Sequence, residues 1–268
     1  MIWQQAIAAF QLDSINLSQS TIDKIYTDVR DFFVFCPKDV NDLVKEDVVD
    51  WHQFLVGKYK PNYVWRKLKN LKQFFGYLCY EEIRFDNPAI GEKIPWGDII
   101  SRKVITKNDY HLLMETSKPN LMHQAIISIL YTGGLRPNEL VKLNQRDIDW
   151  DKAVLSIYDD KKNKERKVAI TYDCLTRIKW YLESRKSYSS LLFPSPFKEG
   201  YPIDPKSLWL LLNRYKNKLG ISKQLSPIVF RYTYASNLHA AGFKTDEIAK
   251  LMGHDNLNTT RRYIQYFE

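Results

Sequence analysis

Apolar residues recur at three- and four-residue intervals over 22–35, 44–56 and 63–80, the spacing that lays one apolar stripe along a helix. The first third of the chain therefore reads as a series of short-linked helices, with Ser20 and Asp47 as candidate caps. The series ends at Phe85-Asp86-Asn87-Pro88-Ala89, and 91–102, with Pro95 and Gly97, reads as a linker. Beyond it, Thr106-Lys107-Asn108-Asp109 opens an amphipathic helix, and 120–131 is a strongly apolar helix that stops at Gly133-Gly134. The period then changes to two. Alternation over 153–158 and 167–170 predicts a hairpin around a polar tip, 159–166. Helical spacing resumes over 174–187, 205–219, 227–241 and 245–252, and no internal repeat is visible. The expected architecture is mainly α with a small β-sheet or hairpin. It comprises a helical domain over 1–92, a linker over 93–103 and an α+β domain over 104–268.

At 268 residues, 44% hydrophobic and 14% aromatic, the chain is long and apolar enough for two cores and is not a disordered polymer. Cys36, Cys79 and Cys174 are odd in number and far apart, which suggests neither a disulfide framework nor a zinc site. No apolar run reaches the length of a membrane span and the N-terminus lacks a signal-peptide pattern, so the expected compartment is the cytoplasm, without membrane contact.

Charge sharpens the picture. The net charge is +9, with 14 Lys and Arg against 14 Asp and Glu in residues 1–103 and 26 against 17 beyond. Residues 51–80 nevertheless hold Lys58, Lys60, Arg66, Lys67, Lys69 and Lys72 with no acidic residue among them. Two basic regions point to a polyanionic partner, and nucleic acid is the expected one.

The candidate chemistry lies in the second part. His254 and Tyr263 are nine residues apart, which on one unbroken helix would put them on opposite faces. Gly253 as a helix terminus and Asn258 as an N-cap predict a break between them, with His254 in the turn and Tyr263 on a new helix. Arg136 stands just before Pro137, and Arg231 follows a helix start marked by Ser226 and Pro227. A guanidinium beside a helix N-terminus suits a phosphate, because its planar donors add to unpaired backbone amides. The hairpin tip supplies further cations, Lys161, Lys162, Lys164, Arg166 and Lys167. A phenol, two arginines, an amine and an imidazole, without a cluster of carboxylates for Mg²⁺, suit metal-free phosphoryl transfer through a covalent intermediate. A free phenol of pKa about 10 is a poor nucleophile at neutral pH, and guanidiniums favour the phenolate and the charge of the transition state.

Four boxes in order resemble the catalytic domain of the tyrosine recombinase, or phage integrase, family, in particular its short Xer-like members. Residues 132–140 resemble T-G-L-R-x-x-E-L with one extra glycine, and 160–166 resemble G-K-G-N-K-E-R. The box around Arg231 follows, and 252–254 with 258–263 resemble L-G-H and S-T-T-x-x-Y. The resemblance implies Arg136 and Arg231 as the catalytic arginines, Lys161 as the catalytic lysine, His254 as a phosphate-contacting group and Tyr263 as nucleophile. It also implies a helical, SAM-like core-binding domain ahead of the catalytic one, the pair clamping duplex DNA, and strand cleavage and rejoining through a 3′-phosphotyrosyl bond without metal, ATP or other cofactor. Lys58, Lys60, Arg66, Lys67, Lys69, Lys72, Lys162, Lys164 and Arg166 are the expected DNA contacts. Self-assembly to a tetramer on two DNA sites, an accessory protein and a nucleoid location are further expectations.

One position departs from the pattern. Where the family has His, or sometimes Lys, three residues before the second arginine, this chain has Ile228, which neither donates nor titrates. Tyr232, one helical turn beyond, is a candidate replacement. The alternatives are a type IB topoisomerase that reseals the same strand, or a non-catalytic DNA-binding relative in which Ile228 marks decay.

Overall fold

The computed structural model describes residues 2–91, 104–159 and 163–264. The expected linker over 93–103 and the tip residues Lys161 and Lys162 lie outside the described residues. The chain divides into two compact units, 1–100 and 101–268.

The first unit contains α1 (Trp3–Asp13), α2 (Gln19–Phe35), α3 (Lys45–Val56) and α4 (Pro61–Tyr80). Its core is aromatic: Phe10, Phe32, Phe33, Trp51, Phe74 and Phe75 are all buried. Phe32 meets Trp51 edge-on at 5.2 Å, a favoured arrangement of ring quadrupoles. Helix α1 was not expected. Its fully buried residues are Ala6, Ile7 and Phe10, too few periods for a clear stripe. The expected caps shift as well. Ser18 takes the N-cap position of α2 and Ser20 lies inside it. Asp47 is the third residue of α3 and reaches back to accept from the Val44 amide at 2.9 Å.

The basic stretch of α4 is not one uniform face. Lys67 is 2% exposed, and its amine donates to Asp28 at 3.1 Å and to Asp31 at 2.6 Å on α2. Arg66 and Asn70 also donate to the fully buried Asp28. A buried carboxylate requires such partners, and α4 supplies three, so Lys67 is a buried tie between two helices where an exposed DNA contact was expected. Lys58, Lys60, Lys69 and Lys72 are exposed as expected.

The second unit opens with α5 (Lys107–Ser117), where Thr106 accepts from the Asp109 amide at 3.1 Å and its own amide donates back at 2.7 Å. Helix α6 (Leu121–Gly133), capped by Asn120, is buried on almost every side, which explains its continuous apolar sequence. It ends in the left-handed Gly134 and leads to α7 (Pro137–Lys142). A 3₁₀ turn (Gln145–Asp147) then leads into an antiparallel sheet, β1 (Ile148–Asp149), β2 (Val154–Asp159) and β3 (Lys164–Ala169), in that order. Strand β3 begins three residues before the predicted 167, with Lys164 opposite Asp159 and Arg166 opposite Ile157. Charged residues on this edge strand made it resemble a loop in sequence.

The remaining helices are α8 (Tyr172–Ser184), α9 (Pro205–Leu219), α10 (Pro227–Ala240), α11 (Thr245–Met252) and α12 (Leu257–Ile264). Helix α8 stops short of 187, and Arg185 just beyond it donates to the carbonyls of Ser189, Leu191 and Leu192. Helix α12 begins at Leu257 because Asn256, and not Asn258, turns the chain, accepting from the Asn258 amide at 2.8 Å. No helix among the described residues is long and apolar enough to cross a membrane.

Candidate active site

Two glycine turns organise the site. At the end of α6, Gly134 adopts φ +58°, and its carbonyl accepts from Arg231 Nη1 at 2.7 Å. At the end of α11, Gly253 adopts φ +65°, and its carbonyl accepts from Arg136 Nη2 at 3.1 Å. Each arginine thus reads a backbone turn far away in sequence, and the two guanidiniums meet where α6, α10 and α11 end or begin.

Arg231 is 2% exposed. Its Nη2 donates to the Met252 carbonyl and, at 3.1 Å, to Nε2 of His254. Burial, and next the positive charge of Arg136, push its pKa down to about 10, so it remains cationic at neutral pH. Its Nε–H has no acceptor among the described residues. Arg136 is more open, its side chain 35% exposed.

Glu139 ties the set together. It is 7% exposed, accepts from the Arg136 amide at 2.7 Å and from Arg136 Nη1 at 2.6 Å, and takes both terminal nitrogens of Arg166 at 2.9 and 2.7 Å. Burial alone would raise its pKa, but the Arg166 and Arg136 bonds overcome that and hold it at about 2. Arg166 was expected to contact DNA. Its side chain is only 13% exposed and is spent on Glu139 and on the Leu251 carbonyl at 3.2 Å, so it braces β3 against the end of α11. Glu139 itself was overlooked. An acidic residue three positions after a helix N-cap was the available signal.

The imidazole of His254 sits in the turn, as expected. A guanidinium only donates, so Nε2 is the bare, accepting nitrogen, and Nδ1–H donates to Thr260 Oγ1 at 2.8 Å. Thr260 is fully buried on α12 and locks the turn to the helix that carries Tyr263. The Tyr263 ring lies 5.1 Å from the His254 ring and 4.1 Å from the Tyr232 ring, centroid to centroid. Arg136, Arg231, His254 and Tyr263 are therefore brought together by the two turns. Ile228 is half-buried and packs on the main core. Ser226 takes the N-cap position of α10, but its hydroxyl makes no cap bond.

Of the remaining expected DNA contacts, Lys164 is exposed on β3. Arg66 is half-buried, bound to Asp28 at 3.2 Å and lying over the Tyr63 ring. Among the described residues no group of three or more His, Cys, Asp or Glu is arranged to hold a metal ion.

The phage integrase family profile matches residues 103–268. The chain belongs to the phage integrase family. This integrase-family chain is a tyrosine-type site-specific recombinase. It is 29% identical to the tyrosine recombinase XerC of Leptospira interrogans over 265 residues, covering 93% of this chain and 84% of the relative. It is 30% identical to a tyrosine recombinase of Pseudothermotoga lettingae over 258 residues, covering 92% and 88% of the two chains. Solved structures share the fold. The Tn1549 transposon integrase in complex with a circular intermediate DNA matches with a TM-score of 0.83 at 18% identity, over 98% of this chain and 95% of that one. A lambda integrase dimer bound to a COC′ core site matches with a TM-score of 0.79 at 13% identity, over 98% and 77%. The expected fold class, mainly helical with a small sheet and an α+β catalytic domain, holds.

Proposed function

We propose that this recombinase cleaves and rejoins duplex DNA at a specific site through a 3′-phosphotyrosyl intermediate, with Tyr263 as nucleophile and without metal or ATP. The single observation that carries the reading is the convergence of Arg136, Arg231, His254 and Tyr263 around the Gly253 turn. Tyr263 gives up its phenolic proton to solvent as its oxygen attacks the scissile phosphorus; the bond to the 5′-oxygen breaks, and that oxygen takes up a proton. Lys161, implied by the resemblance and outside the described residues, is the proposed donor. The two guanidiniums balance the charge that develops on the phosphoryl oxygens. Attack by a 5′-hydroxyl reverses the sequence and reseals the strand. Because the phosphotyrosyl bond conserves the energy of the phosphodiester, the cycle consumes no nucleotide.

In this reading 1–92 is a core-binding domain, 93–103 a linker and 104–268 the catalytic domain. The relatives solved with DNA support a duplex partner. Assembly as a tetramer on two sites, help from an accessory protein and residence at the nucleoid complete the proposal. Ile228 favours one competing reading. With its side chain packed on the core, the site lacks the family's ring or amine at that position, as a non-catalytic DNA-binding relative would.

Incubation with a duplex library in EDTA, quenched with detergent, separates the readings. Covalent protein–DNA adducts at a defined sequence, absent with Tyr263→Phe, support cleavage. Binding by both proteins without any adduct supports the non-catalytic relative. Relaxation of supercoiled DNA without strand exchange between two sites would instead indicate a topoisomerase.

A further inference from the structure

We infer that Tyr232 is a positioning residue that holds the nucleophile in place through ring contact, within the same protomer and before DNA arrives. The inference rests on the cleavage reading above. Its origin is a relationship between two helices: the Tyr232 ring on α10 and the Tyr263 ring on α12 lie 4.1 Å apart at 34°.

Helix α12 needs such a contact. Its described length is eight residues, too short to be stable alone, and it offers one fully buried side chain, Thr260. Apolar packing adds to that anchor. Tyr263 and Ile264 pack against a small satellite cluster of Tyr234, Ala235, Ile248 and Met252, separate from the main core. The nucleophile therefore rides on a short element packed on α10 and α11, whereas both arginines are tied into the glycine turns. A ring lying on the Tyr263 ring restricts its side-chain rotation without consuming its hydroxyl, which attack on phosphorus requires.

Position 232 suits that role. It directly follows Arg231, which is fixed by the Gly134 and Met252 carbonyls, so the backbone that carries the Tyr232 ring is anchored. Ile228, one turn earlier, packs on the main core and does not supply the contact. The chain thus departs from the family at 228 and places an aromatic ring against the nucleophile from 232. Holding the phenol near its attack geometry in the free protein removes an ordering cost from the bound state.

The test compares the wild type with Tyr232→Phe, Tyr232→Leu and Tyr232→Met by hydrogen exchange and by adduct formation on a duplex recovered from a random-sequence library. Thermal melts identify any variant that fails to fold, and either aliphatic variant suffices. The expected result is faster exchange over 257–264 with α6 unchanged. Adduct formation at saturating DNA should slow by roughly three- to tenfold, the population shift one aromatic pair supports, at unchanged DNA affinity. Tyr232→Phe should restore both, since the ring and not the hydroxyl makes the contact. Unchanged exchange and adduct rate in a folded aliphatic variant would overturn the inference, as would a Phe variant as impaired as Leu. If the wild type forms no adduct, the cleavage reading fails by itself, and exchange alone decides whether Tyr232 holds α12.

Discussion

Glu139 and Arg166, 27 residues apart, form a two-bond pair of 2.9 and 2.7 Å that joins the first-arginine box to the hairpin. The same carboxylate holds Arg136, so one acidic side chain sets the position of a candidate catalytic arginine and of the strand leading from the tip that carries Lys161. Two guanidiniums on one carboxylate fix direction as well as charge, because each presents a planar fork of donors.

Glu139→Gln should therefore destabilise the chain and loosen Arg136 together. The folded pKa, about 2, lies below the ordinary value of 4.5, so the contribution is present above pH 4.5 and is lost as pH falls toward 2. The size is about 3 kcal/mol by linkage. Denaturant unfolding at several pH values should show the gap between wild type and variant widest at pH 6 and closing by pH 2. A gap that stays constant would show that the carboxylate's charge is not what stabilises the site.

Gly134→Ala tests the first turn. Its φ is +58°, and an added Cβ would fall 2.4 Å from the Tyr234 ring, beside the carbonyl that receives Arg231. Gly220 has a similar φ of +64° but nothing within 4 Å. Gly220→Ala should cost about 1 kcal/mol from backbone strain alone. Gly134→Ala should cost more and also slow DNA cleavage. Equal melting temperatures for the two variants would contradict a close approach of Tyr234 to this turn.

The basic residues of the first unit should divide into two classes. Lys67→Met leaves Asp28 buried with fewer partners and should destabilise the chain by on the order of 3 kcal/mol, read by denaturant unfolding. Replacing Lys58, Lys60, Lys69 and Lys72 together by Gln should leave stability within about 0.5 kcal/mol. That variant should instead flatten the dependence of DNA affinity on salt, by close to one unit of log–log slope for each phosphate deprived of its lysine. An unchanged slope would place the DNA elsewhere on the protein.

Much of the fold was legible because amphipathic helices carry their own period. Helices α9 and α11 begin and end where apolar spacing and the Pro and Gly signals place them. The elements that were misread are those whose identity depends on partners. Strand β3 carries Lys, Glu and Arg at its start, and only its pairing with β2 makes it a strand. Lys67 has the composition of a surface residue, and only the two aspartates on α2 draw it inside. At the site, the break between His254 and Tyr263 was visible in Gly253, whereas the Tyr232–Tyr263 contact joins separate helices and has no local signature.

The most direct measurement is mass spectrometry of the nuclease-trimmed protein–DNA adduct, which identifies the residue bonded to the 3′-phosphate. A nucleotide on Tyr263, with wild-type folding and no adduct in Tyr263→Phe, is the expected result. A nucleotide on Tyr232 or on any serine, or adducts that persist in Tyr263→Phe, would contradict it.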